Sequence, residues 1–147
     1  MNSEPSSQPT QATAEVLVPT DPQTAFRLFI EDIGTWWVPG PINFFHADRS
    51  PRMQIEPRLG GRVLEQYRDD ALVIAEITTF QPGVRLDLCG VVDDSMTEIH
   101  FVADPAGTRV RVYAYLRPGG HNTFLFWPNV MGWLADYAAH QPVSRRA

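Results

Sequence analysis

One long amphipathic helix near the end of the chain follows a succession of short strands, and this order restricts the possible folds more than any other feature. Between Asn122 and His140, apolar side chains recur at helical spacing in two adjacent rows. The rows are Trp127, Met131, Leu134 and Ala138, and Phe126, Val130, Trp133 and Tyr137. Because so wide an apolar face must be covered, we expect this helix to lie in the concave face of a curved sheet.

The region before this helix alternates strand-like segments with turns rich in Gly, Pro and Asp. The predicted strands are Ala14–Pro19, Met53–Glu56, Arg62–Arg68, Ala71–Gln81, Arg85–Val92, Thr97–Ala103 and Thr108–Leu116. Because the connections after the second strand are short, these strands should pair as an antiparallel meander. In the last strand Val110, Val112 and Ala114 should face the core, with Tyr113 and Tyr115 on the outside.

Two short helices are predicted after the first strand. Thr20 or Asp21 can cap a helix that begins at Pro22 and runs to about Glu31, with Ala25, Phe26, Leu28 and Phe29 on its buried face. A second helical turn should cover Ile33–Trp37. Pro128 is tolerated only in a first turn, so the long helix should start near Trp127. These elements predict an α+β fold.

The chain should form one domain. Its 147 residues are enough for a substantial core. Residues 1–13 are polar and rich in Ser, Pro and Gln, which predicts a disordered arm. The predicted domain covers residues 14–141, and residues 142–147 form a short tail.

Composition excludes several classes of function. A formal net charge of −5 argues against nucleic acid as a partner. The absence of a long apolar run or a secretory leader predicts a cytoplasmic protein with no membrane contact. Cys89 is the only cysteine, so no disulfide or cysteine-based zinc site is expected within one chain. No sequence motif for a cofactor is present, and a homodimer is compatible with the sequence.

A loop at Val38–Pro51 carries several aromatic residues although its prolines exclude regular structure. Solvated loops rarely hold so many large aromatic side chains, so the loop should cover something apolar. With the aromatic residues at the start of the long helix they could line a cavity, or they could be plain core packing. The aromatic set is Trp36, Trp37, Phe44, Phe45, Phe124, Phe126, Trp127 and Trp133.

Polar candidates are few. Glu65 shares a strand face with Val63 and Tyr67, so it could point into the cavity with a tyrosine or arginine partner, or form an ion pair on the outside. His46 and His121 flank the expected mouth and could meet there with Glu65 or Asp48, as an acid–base dyad or a weak metal site, or be exposed. His100 should point away from the core, and no histidine pair has the spacing of a metal site.

Several motifs resemble the START-like (SRPBCC) superfamily, and within it the branch named after the activator of the heat-shock chaperone ATPase. They occur in the expected order between about Glu15 and His140. The motifs are Val18-Pro19 with Pro22–Phe29, Trp36-Trp37, Pro57–Arg62, Ala75–Ile77 with Phe80–Pro82, Gly107–Val110 and Gly132-Trp133. Ala75, where glycine is usual, and Pro128 depart from the pattern.

The resemblance implies a helix-grip fold, in which a curved antiparallel sheet wraps around the C-terminal helix and encloses a cavity for apolar small molecules. It leaves three functions open: binding of an apolar or aromatic small molecule, an aromatase/cyclase-type enzyme that acts on polyketides, and a chaperone-activator-like interaction module with an apolar patch near Tyr113 and Tyr115. We expect no catalytic metal or cofactor. The predicted ligand contacts are Trp36, Trp37, Phe44, Phe45, His46, Glu65, Phe124, Trp127 and Met131.

Overall fold

The computed structural model describes residues 10–38, 52–123 and 125–140. Its strands are β1 (Gln11–Val18), β2 (Arg52–Ile55), β3 (Arg62–Gln66), β4 (Ala71–Gln81), β5 (Arg85–Gly90), β6 (Ser95–Asp104) and β7 (Gly107–Leu116). Its helices are α1 (Pro22–Glu31), α2 (Ile33–Trp36) and α3 (Trp127–Ala139).

The strands form a seven-stranded antiparallel sheet in the order β1-β7-β6-β5-β4-β3-β2. Strands β2 to β7 pair in chain order, which confirms the predicted meander, and β1 joins the far edge beside β7. The sheet curls around α3, with α1 and α2 placed after the first strand, so the predicted α+β helix-grip architecture is confirmed. The core lies between the concave face of the sheet and the helices.

The first strand begins at Gln11, earlier than the predicted start at Ala14. Gln11 pairs with Tyr115, and the register continues without a break to Val18 opposite Thr108. Backbone hydrogen bonds to β7 therefore extend the strand through residues whose polar side chains predicted no regular structure. The disordered arm predicted for residues 1–13 is thus too long at its C-terminal end. Residues 1–9 and 141–147 lie outside the described part of the chain.

Helix α1 begins as the sequence predicts. Asp21 is its N-cap, accepting hydrogen bonds from the Thr24 hydroxyl at 2.6 Å and the Thr24 amide at 3.3 Å, and Pro22 follows in the first turn. The hydrogen bond from the Thr24 hydroxyl is the main cause of the lowered pKa of Asp21. The buried face contains Ile30 where Leu28 was predicted, because Ile30 lies one helical turn after Phe26, whereas Leu28 lies at the edge of this face and is partly buried.

Helix α3 begins at Trp127 with Pro128 in its first turn, in agreement with the predicted start. It packs mainly on β1 and β7. The row with Trp127, Met131 and Leu134 is buried. In the other row Phe126 and Val130 are also buried, and Trp133 and Tyr137 are partly buried. The tyrosine hydroxyl donates a 2.8 Å hydrogen bond to Asp32, which ties the end of α3 to the junction between α1 and α2.

Candidate functional site

Glu65 lies on the concave face of the sheet, among apolar side chains. It pairs with Met53 of β2 on one side and with Leu72 of β4 on the other. Val63, two residues earlier on the same face, is completely buried, and so is Glu65 at 0% exposure. The alternative of an exposed ion pair on the outer face is therefore wrong for this residue.

The phenol of Tyr67 donates a 2.7 Å hydrogen bond to Glu65 Oε1. Tyr67 follows β3 directly, and its amide donates to the carbonyl of Asp70 at 2.8 Å, which holds it in the turn toward β4. An uncompensated buried carboxylate would be costly, so the phenol lowers the cost of keeping Glu65 inside. The pair puts an acid–base group and a hydroxyl side by side on an apolar surface.

A second buried carboxylate, which sequence analysis missed, is Asp93 in the turn between β5 and β6. Asp93 accepts hydrogen bonds from the Ser95 hydroxyl at 2.7 Å and the Ser95 amide at 3.2 Å. Gly90 pairs with Ala75 of β4. Beyond Gly90 the chain continues antiparallel to β4, in the direction of Leu72, which pairs with Glu65. The Asp93-Asp94-Ser95 segment is a normal turn sequence, and the only sign of its buried role is the preceding glycine.

Gly90 makes room for that carboxylate. A Cβ atom at this position would collide with Asp93 Oδ1 and lie 2.8 Å from Ser95 Oγ. Any side chain at position 90 would therefore displace the Asp93–Ser95 pair. The strand ends in a residue without a side chain because the acidic group occupies that volume.

Aromatic side chains from the three helices meet over the sheet. The ring of Trp127 stacks on Phe29 with centroids 5.9 Å apart. Trp37 lies 5.7 Å from Trp127 at an interplanar angle of 70° and 6.1 Å from Trp36. We call Phe29, Trp36, Trp37, Phe126, Trp127 and Trp133 the aromatic cluster. Within it, Trp37 contacts Trp127 and Trp133 of α3 and Phe126 just before that helix.

The predicted ligand contacts are distributed unevenly. Trp36, Trp37 and Trp127 are in the aromatic cluster, each 3% exposed, and Met131 lies one turn further along α3 at 0% exposure. Glu65 is placed on the sheet. The predictions for Phe44, Phe45, His46 and Phe124 fall on residues outside the described part of the chain.

Within the described ranges, neither His100 nor His121 adds a ring to the site. His121 is exposed, and its backbone amide, not its ring, donates to Asp94 at 2.8 Å. His100 lies on the outer face, 3.3 Å from Glu98, as expected for a residue that points away from the core. Among the described residues no group of His, Cys, Asp and Glu is arranged to hold a metal ion.

The outer face of the sheet carries charged pairs around its two tyrosines. Tyr113 and Tyr115 have ring centroids 5.2 Å apart, and the Tyr115 hydroxyl donates to Glu98 at 3.2 Å. Burial, followed by the nearby Glu98 charge, raises the pKa of Tyr115. Arg111 pairs with Glu15 at 2.8 Å beside them. This surface is a mixed polar one, whereas the interaction-module alternative predicted an apolar patch.

Two open cavities lie near the β2 edge. One, of about 330 Å³, is lined by α1, α2 and β2 residues that include Glu31, Gly34, Arg52 and Met53. The other, of about 190 Å³, lies between α1 and the β4–β5 turn, beside Phe80. Both are separate from the aromatic cluster.

Solved structures share this fold at low sequence identity. Protein CV1439 from Chromobacterium violaceum is 13% identical with a TM-score of 0.63, and the match covers 91% of this chain and 100% of that one. An AHSA1-like protein from Aeromonas hydrophila is 14% identical with a TM-score of 0.63, covering 88% and 92%. The conserved protein of unknown function EF2215 from Enterococcus faecalis is 15% identical with a TM-score of 0.61, covering 86% and 69%.

These likenesses define the fold. The chain has the START-like helix-grip fold that its motifs resemble. One of these neighbours is described as AHSA1-like, and at 14% identity the likeness shows a shared fold. No family model and no curated protein sequence matches the chain. In the part of the chain that the structure describes, no helix has the length and apolar character needed to cross a membrane.

Proposed function

We propose that this protein binds an apolar or aromatic small molecule between the sheet and α3, with a polar group of the ligand directed toward Glu65. The observation that carries the proposal is the completely buried Glu65 carboxylate, held by the Tyr67 phenol on an apolar face. A carboxylate contributes little to packing there and is costly to desolvate. Its position is better explained by recognition of a ligand hydroxyl or a similar donor.

The aromatic cluster supports the same function. Binding sites for small molecules are mainly lined by apolar and aromatic side chains with a few placed polar groups. The aromatic rings would supply the apolar lining. The polar groups would come from the pairs Glu65–Tyr67 and Asp93–Ser95. The proposal requires both parts to border the same ligand.

Native mass spectrometry of the gently purified protein, followed by tryptophan-fluorescence titration with fluorene, palmitate and a hydroxylated anthraquinone, tests this proposal. We expect at least one of these ligands to bind. Glu65→Gln should lower the affinity for the hydroxylated anthraquinone by roughly tenfold. Glu76→Gln, an exposed change on the neighbouring strand, is the matched control and should leave affinity unchanged. No copurified ligand and no fluorescence response to any of the three would contradict the proposal.

An enzyme of aromatase/cyclase type is the second candidate, and the Glu65–Tyr67 pair is the observation that favours it. Glu65 could remove a proton next to a ketone while the Tyr67 hydroxyl supports the developing oxyanion. A simple test is the closure of an aliphatic diketone to a cyclohexenone by intramolecular aldol condensation, with loss of water. If the protein is an enzyme, the wild type should form the cyclohexenone faster than the uncatalysed reaction, and Glu65→Gln should abolish this acceleration. Equal rates with and without the protein would exclude catalysis of this reaction and leave ligand binding as the proposed function.

The chaperone-activator alternative has weaker support. It rests on the name of the AHSA1-like neighbour, and the outer face around Tyr113 and Tyr115 carries ion pairs instead of a continuous apolar patch.

A further inference from the structure

The indole N–H of Trp37 is buried and has no acceptor within the described part of the chain. The adjacent Trp36 differs, because its N–H donates to the carbonyls of Leu28 and Phe29 at 3.1 and 3.3 Å. A buried hydrogen-bond donor without an acceptor is uncommon and lowers the stability of the fold, so the Trp37 N–H requires a specific explanation.

The surroundings of Trp37 explain why the fold leaves its donor unpaired. Its ring meets Phe126 at 5.8 Å, Trp127 at 5.7 Å and Trp133 at 5.6 Å, with interplanar angles of 83°, 70° and 79°. These rings offer no oxygen acceptor. Phe126 is also the N-cap of α3 and makes no side-chain cap, so the positive end of the helix lies beside the same ring.

We propose that Trp37 Nε1 selects ligands that carry a carbonyl or another uncharged acceptor oxygen on a flat aromatic ring system. The inference rests on the proposed binding function and adds a ligand class and the atom that recognises it. A flat ligand ring can continue the edge-to-face packing of the aromatic cluster, while the ligand oxygen accepts a hydrogen bond from the Trp37 N–H. A carboxylate would be unsuitable, because one donor among apolar rings does not compensate for its desolvation.

A different account is that the N–H points at the face of one neighbouring ring. Angles of 70–83° are compatible with such a contact. An N–H already engaged in this way would give no preference for a ligand oxygen. The two accounts therefore predict different selectivity.

Fluorenone and fluorene are the appropriate probes, because they have the same ring system and differ by one carbonyl group. Water solvates fluorenone better than fluorene, so tighter binding of fluorenone requires a donor in the site. We expect the wild-type protein to bind fluorenone roughly tenfold tighter than fluorene. Replacing Trp37 by benzothienylalanine, which substitutes sulfur for the N–H in a bicyclic ring of similar shape, should abolish that preference and retain fluorene affinity.

Tyr113→Phe, which removes an exposed hydroxyl on the outer face of the sheet, is the control and should keep the preference. Proton–nitrogen correlation spectra give a second readout on the unmodified protein, which has four tryptophans. The Trp37 indole signal, assigned from its nuclear Overhauser contacts with the rings of Phe126, Trp127 and Trp133, should move downfield with fluorenone and much less with fluorene. This measurement decides the matter even if a variant fails to fold.

Equal affinity for both compounds, with the Trp37 signal unmoved by fluorenone, would overturn the inference and leave the binding function standing. Binding of neither compound would overturn the inference and count against the binding function for aromatic ligands. A preference for fluorenone that survives at the modified Trp37 would assign the donor to another group and also overturn the inference.

Discussion

Tyr67 donates its phenolic hydrogen to Glu65 across 2.7 Å, and the carboxylate that receives it is completely buried on the concave face of the sheet. Tyr67 lies in the turn that follows β3, so the position of this hydroxyl depends on the β3–β4 connection. The pair therefore links local turn structure to the polarity of the candidate site.

Removing that hydroxyl should be costly. We expect Tyr67→Phe to lower the free energy of unfolding by roughly 1–3 kcal/mol, because the carboxylate loses a buried donor. Urea denaturation at neutral pH measures the change. Tyr113→Phe removes an exposed hydroxyl on the outer face and should cost less than about 0.5 kcal/mol. Similar losses in the two variants would show that the Tyr67 bond contributes nothing specific.

Gly107 should tolerate no side chain. Its φ is +142°, a backbone conformation that is strained for a residue with a side chain. A Cβ atom here would also collide with the carbonyl oxygen of Val18, where β7 meets the end of β1. We expect Gly107→Ala to cost at least about 3 kcal/mol in thermal unfolding. Gly119 has a φ of +79° but no atom within 4 Å of a built Cβ, so Gly119→Ala should cost only about 1–2 kcal/mol. An equal loss would mean that strain alone accounts for both.

Glu56 should make stability depend on pH below 4.5. Its side chain accepts 2.9 and 3.0 Å hydrogen bonds from the amide and Nε of Arg62, and a 2.8 Å bond from Nη2. The side-chain bonds first, then the amide, lower the pKa of Glu56 from 4.5 to about 2. A carboxyl with a lowered pKa stabilises the fold above its unfolded pKa, and the contribution is lost as the pH falls.

Acid unfolding of Glu56→Gln against the wild type checks this prediction. The wild type should be more stable at neutral pH, and the difference should shrink between pH 4.5 and about 2. Asp69→Asn, an exposed change in the β3–β4 turn, is the control and should track the wild type. A difference that stays constant over this range would contradict the assignment.

Asp94 should hold the backbone at His121 and Asn122, in the segment that leads into α3, in a fixed conformation. It accepts from the backbone amides of His121 at 2.8 Å and Asn122 at 3.1 Å, and from Arg117 Nη2 at 2.6 Å. The amides are the main cause of its lowered pKa. We expect Asp94→Ala to speed hydrogen exchange at His121 and Asn122 by at least tenfold, while the amide of Ile99 in β6 stays protected. Unchanged exchange at the two amides would show that other contacts hold the segment.

The order and type of the elements could be predicted because they depend on local patterns. Alternation assigned the inward face of β7, a capping aspartate and a proline started α1, and Pro128 placed the start of α3. The start of β1 could not be predicted in this way, since pairing with β7 extends it through residues whose side chains carry no strand signal.

The candidate site was predictable only in part. Helical spacing identified Trp127 and Met131 as members of the buried face, and strand alternation left Glu65 with two possible orientations. Which one occurs depends on β2 and β4 on either side of β3, because these strands decide which face is covered. Asp93 was missed because its burial depends on space at Gly90, which a turn sequence does not reveal.

The amino-acid sequence by itself determined the helix-grip order, one curled meander and a long aromatic helix, because periodicity and turn chemistry act over a few residues. Only the tertiary structure decided that Glu65 is buried beside Tyr67, that Asp93 lies against Gly90, and that the Trp37 ring packs against Phe126, Trp127 and Trp133. Each of these depends on volume and hydrogen-bond partners supplied by distant segments. Burial and pairing are properties of the assembled core, and no local pattern specifies them.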